Sequence, residues 1–187
     1  MHAARSPADA LWDPSFRGTP IDSPVPGQLA DAPGNNSYAA LVPIGERRKR
    51  WGDTFTTVHA VFANRGPQYV VGDAAPFPGS RRWSLLEGPT GTTSNTLLIH
   101  GGRTTWEGLV AFNDGRVSFE MKATPDNIGY RRIGPDQDKR TPDNLFVNET
   151  DEVDGDRAAG EFTRGTNAYL RPVAGYESAE RPRLWID

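Results

Sequence analysis

The stretch GLVAFNDGRVSFEM, residues 108–121, constrains the fold more than any other, because two alternating apolar runs meet at an Asp-Gly pair. Alternation with period two puts one set of side chains on a single strand face, and Asp-Gly between such runs signals a tight hairpin turn. With Asp114 and Gly115 as the loop of a type I′ turn, Phe112 pairs with Val117 and Val110 with Phe119. Those four side chains then share one sheet face, and Ala111 and Ser118 share the other. The expectation is an antiparallel hairpin packed on one side and wetted on the other.

The rest of the chain favours the same class of structure. Its 20 Gly and 16 Pro interrupt helices and multiply loops. The expected fold is mainly β (α+β), an antiparallel sheet of four or more strands with short helices and long irregular loops. At 187 residues one domain is expected. Residues 36–187 make up that domain, and residues 1–35, with few large apolar side chains, are expected to wrap irregularly on it.

Further strands are expected in NSYAALVP, residues 36–43, with Tyr38, Ala40 and Val42 on one face, and in QYVVGD, RRWSLLEG and TLLIH. TNAYLRPV and RLWID, near the C-terminus, are candidate edge strands. In DTFTTVHAVFANRGP, Asp53 caps a short helix presenting Phe55, Val58, His59 and Phe62, with a strand as the alternative because Thr and Val are β-branched. Residues 125–140 read as loop.

Composition excludes several functions. The chain carries 21 basic and 24 acidic residues, a net charge of −3, which argues against a nucleic-acid binder that must neutralise a run of phosphates. The absence of Cys excludes disulfides, thiolate metal sites and Cys nucleophiles. No apolar run approaches about eighteen residues, and no charged-then-apolar leader is present. Membrane contact is therefore expected only through a segment absent from this chain.

The order of pieces NNSYAALVP, RRKRWGDTF, AVFANRGP, then IHGG, Trp-Glu-Gly and Asn-Asp-Gly resembles the prepilin-like proteins with a His-X9-Asp-Gly processing-associated signature. Here thirteen residues separate His100 from Asp114, four more than in that signature, with the segment RTTWEG among them. The resemblance spans about residues 35–121, with His100, Gly101, Gly102, Trp106, Asp114 and Gly115 as its signature. It implies an exported, extracellular or cell-surface head like that of a type IV pilin or a type II secretion pseudopilin. Such a head is a structural subunit without catalysis, whose partners are further copies or other pilin-like subunits.

The motifs of chemistry are sparse. IHGG has the form of an esterase oxyanion turn, but no G-x-S-x-G elbow accompanies it. His59 and His100 lie in unrelated segments, which favours packed or hydrogen-bonded roles over metal ligation, and His100 is read as a strand-end residue holding the hairpin loop. Glu107 and Asp114 are a weak candidate carboxylate pair, since Asp114 has a turn role. No phosphate-binding glycine loop occurs. Residues 136–156 hold eight acids and two bases; a solvated acidic turn is the plainer reading, and Asp151, Asp154, Asp156 and Glu161 are candidate calcium ligands in an irregular loop, with Thr150 where a calcium loop opens on Asp. The resemblance to pseudopilins, some of which bind calcium near the C-terminus, implies the same ion here. The basic run RRKR at residues 47–50 is a counterpart for those acids within the molecule or on a neighbour. The alternative function is a carbohydrate-binding module using surface Trp side chains among Trp12, Trp51, Trp83, Trp106 and Trp185.

Overall fold

The computed structural model describes residues 38–52, 56–72, 82–100, 104–131, 140–149, 165–178 and 181–184. The fold is mainly β, as expected, and antiparallel throughout the described pairings. Its main sheet joins β1 (Tyr38–Leu41), β2 (Ala60–Asn64), β5 (Gly108–Phe112), β6 (Val117–Glu120) and β9 (Leu170–Arg171) in the order β6-β5-β2-β1-β9. Among the described residues there are also three two-stranded ribbons. They pair β3 (Tyr69–Gly72) with β4 (Arg82–Leu85), β7 (Gly129–Arg131) with β8 (Arg140–Pro142), and β10 (Val173–Ser178) with β11 (Arg181–Leu184).

One face of the sheet builds the core. Ala39, Leu41, Ala63, Val110 and Phe112 project from it and pack with Leu97, Ile128, Leu145, Phe146 and Trp106. Trp106 is wholly buried; its indole N–H donates to the Arg65 carbonyl at 2.7 Å, and its ring meets Phe146 edge-on at 4.9 Å. Gly108 permits this packing, since a Cβ there would lie 2.6 Å from Trp106 Cζ2. A second cluster of Val42, Ile44 and Tyr169 lies beyond the end of β1.

Four local expectations change. Of the short helix expected in DTFTTVHAVFANRGP, Asp53 and Phe55 lie outside the described residues; residues 56–59 form a turn and the strand alternative holds from Ala60, where β2 pairs on both sides, so tertiary pairing prevails over the helical spacing. TLLIH is not a strand; Asn95–Leu98 is a 3-10 helix, whose cap Ser94 accepts the Thr96 N–H on its hydroxyl. The loop-like stretch after Pro125 contributes β7 and, past residues outside the description, β8. Val42 does not continue the face of Tyr38 and Ala40, because the strand ends at Leu41 and Val42 turns into the second cluster.

The hairpin forms where the sequence places it, with its register displaced by one residue. Gly108 faces Glu120, Leu109 faces Phe119, Val110 faces Ser118 and Ala111 faces Val117. The Phe112 N–H donates to the Arg116 carbonyl at 2.8 Å, and the Gly115 N–H donates to the Phe112 carbonyl at 3.0 Å. Asn113, Asp114 and Gly115 thus form a three-residue loop, a turn followed by a left-handed Gly at φ 82°. The extra loop residue sends Val110 and Phe112 into the core while Val117 and Phe119 face outward, so the four side chains lie on opposite faces.

Candidate functional site

Among the described residues, the displaced register creates an exposed apolar surface. Leu109, Val117, Phe119 and Met121 are all exposed large apolar side chains at the β5–β6 end of the sheet, with Val117 at 59% and Met121 at 70%. Cross-strand pairing puts Leu109 beside Phe119 and Ala111 beside Val117 on this outer face, with Phe62 next to Ala111 on β2. Trp51 closes the far side, its ring edge-on to Phe62 at 5.6 Å and its indole N–H donating to the Leu41 carbonyl at 3.1 Å.

His100 stands on this face. Its ring meets Phe119 edge-on at 5.3 Å, and its Nε2 lies 2.9 Å from Asn64 Oδ1. The same Asn64 oxygen accepts the Leu109 N–H at 2.7 Å, so one buried amide ties β2, β5 and the His100 segment together. An N–H on Nε2 suits that acceptor. His100 therefore braces strand β6, rather than the hairpin loop.

Asp114 and Gly115 occupy the loop, with Asp114 Oδ1 accepting the Arg116 N–H at 3.1 Å. Asn113 anchors the same loop by donating its amide to the Arg50 and Gly52 carbonyls, both at 2.9 Å. Thus His100, Asp114 and Gly115 act on one hairpin. Trp106 serves the core beneath it. Gly101 and Gly102 lie outside the described residues, as do Asp151, Asp154, Asp156 and Glu161.

The basic run divides. Within the 3-10 helix Gly45–Trp51, Arg47 is fully buried, donating to the Asn167 carbonyl at 2.9 Å, to Asn148 Oδ1 at 2.8 Å and to Asn167 Oδ1. Arg48 and Lys49 stay exposed. Arg47 is therefore a structural donor and not part of a docking patch. No feature of the run itself separates Arg47 from Arg48.

A cavity of about 560 Å³ opens beside the same helix, lined by Glu46, Lys49, Arg50, His59, Tyr130, Arg131 and Arg140 among others. Burial, then the charges of Arg50 and Arg140, lower His59 to about 4. At neutral pH its imidazole is uncharged and can accept a proton only against that field. Among the described residues no group of three metal-ligating side chains occurs.

The Trp side chains divide too. Trp106 is wholly buried, and Trp83, which with Trp106 lines a cavity of about 500 Å³, donates its indole N–H to Glu149 at 3.3 Å. Trp51 is 42% exposed but turned edge-on to Phe62. Trp12 and Trp185 lie outside the described residues. No family model, no curated protein and no solved structure matches the chain.

Proposed function

We propose that this chain is the head of an exported pilin-like or pseudopilin-like subunit, a structural protein of the cell surface that acts through contacts with other subunits and not through catalysis. One observation carries the reading. The His and Asp-Gly elements of the signature serve a single hairpin, His100 bracing Phe119 and the Asp114–Gly115 loop closing it, and that hairpin presents an exposed apolar face. A soluble monomer seldom leaves adjacent Leu, Val, Phe and Met side chains uncovered without a partner for them.

Light scattering over a range of protein concentration tests this. Average mass should rise with concentration, and Phe119→Ser should suppress the rise while leaving the circular dichroism of the sheet intact. A mass that stays monomeric at every concentration, together with binding of a defined polysaccharide lost in Trp51→Ala, would favour the carbohydrate-binding alternative.

A further inference from the structure

We infer that a second copy of this chain docks along β6, the two strands pairing antiparallel so that the main sheets join edge to edge, with Ser118 facing Ser118. This names the partner in the assembly proposed above and rests on that reading. Among the described residues β6 ends the sheet order, with β5 as its one neighbour. The opposite edge, β9, is two buried residues long, whereas Val117 and Phe119 on β6 are 59% and 50% exposed.

Hydrogen bonding decides which residues can meet. The Phe112 N–H reaches the Arg116 carbonyl, so Arg116, Ser118 and Glu120 turn their backbone groups toward β5. Val117 and Phe119 consequently turn theirs toward the open edge. An antiparallel partner must match outward groups with outward groups and keep apolar side chains on one face. Two registers of a self-paired edge satisfy both demands around the centre of the strand. One sets Phe119 opposite Phe119, and the other sets Val117 opposite Phe119.

Charge selects between them. The register centred on Phe119 places Arg116 opposite Lys122, a like-charge pair on both sides of the axis. The register centred on Ser118 places Arg116 opposite Glu120, while Lys122, beyond the end of β6, keeps its own ion pair with Asp126 at 2.6 Å. Two-fold symmetry repeats the attractive pair. In the single copy the Arg116 guanidinium lies over the Phe112 ring and donates to the Thr57 carbonyl at 2.9 Å, and Glu120 accepts from the Ser118 hydroxyl at 2.6 Å. Both side chains therefore already lie on the core side of β6, where a partner's opposite charge would arrive. On the outer side, Val117 against Phe119 of the second copy would merge two apolar strips into one band.

The chain has no cysteine, so a single introduced thiol reports the register. Ser118 would face its own copy as a non-hydrogen-bonded pair, about 4.5 Å between Cα atoms, within the reach of a disulfide. Ser118→Cys should form a covalent dimer under mild oxidation, and Phe119→Cys should form much less. Glu120→Lys should weaken dimerisation about tenfold, and adding Arg116→Glu should restore it. Unfolding by urea, read alongside, confirms that each variant folds.

Cross-linking at position 119 in preference to 118 overturns the register. Mass that rises with concentration in the parent chain, with no cross-link at 118 and no effect of Glu120→Lys, overturns edge pairing while leaving the pilin-like reading in place. A parent chain monomeric at every concentration overturns both.

Discussion

Asp143 and His59 pull the pH dependence of stability in opposite directions. Burial raises the Asp143 carboxyl from 3.8 to about 7, helped by the charge of Glu149 and opposed by the Ala168 N–H, the Asn167 amide and Arg50. Between those values the native chain keeps a proton that the unfolded chain has released. The stability this contributes is complete below pH 3.8 and is lost as pH rises through about 7, with a limiting slope of about 1.4 kcal/mol per pH unit. His59 is lowered from 6.5 to about 4, so the unfolded chain binds a proton that the native imidazole refuses. Its contribution is present above pH 6.5 and is lost as pH falls through about 4. The two slopes oppose each other in the shared window. His59→Gln should make stability fall more steeply with rising pH there, and Asp143→Asn should make it rise, at a cost of about 1–3 kcal/mol for a mispaired buried amide. Urea unfolding across the window checks both, and three parallel profiles would contradict the assignment.

Among the elements, the hairpin shows most clearly what its register controls. Val110 and Val117 look equivalent in an alternating pattern, yet Val110 is 0% exposed and Val117 59%. Val110→Ala should cost about 2 kcal/mol in urea unfolding and Val117→Ala less than about 0.5 kcal/mol. Equal losses would instead support the register with all four side chains on one face. The existence and place of this hairpin were legible because period-two alternation and Asp-Gly agree. Its register was not, since Asn-Asp-Gly suits a two-residue turn and a three-residue loop alike, and pairing between Phe112 and Arg116 decides. The same limit applies to TLLIH, where a local Ser cap outweighs an apolar run, and to β7 and β8, whose short sequences carry Gly, Pro and Arg. As for the surface itself, the sequence pointed to His100 and the Asp-Gly turn. The apolar face they support follows from the register and was hidden with it.

Across the whole molecule, buried arginines do for the loops what ladders do for the strands. Long irregular segments carry carbonyls that no neighbouring strand satisfies, and a buried acceptor left without a donor costs about 1–3 kcal/mol. Arg171 on β9 donates to the Gly66 carbonyl at 2.8 Å, the Pro67 carbonyl at 3.2 Å and the Phe146 carbonyl at 2.8 Å, joining three distant parts of the chain. Its guanidinium also lies 5.5 Å from the Phe146 ring centre. A planar fork can serve several carbonyls at once, whereas an ammonium cannot reproduce that geometry. Arg171→Met should therefore cost about 3 kcal/mol or more, and Arg171→Lys should recover little of the loss although it keeps the charge. Arg48 supplies the comparison, because it donates to the Pro43 carbonyl at 3.0 Å from an exposed position where water can replace it. Arg48→Met should change stability by less than about 0.5 kcal/mol. Urea unfolding of the three variants decides the matter. Full recovery in Arg171→Lys would show that charge, and not the directed hydrogen bonds to three carbonyls, is what the core requires at this position.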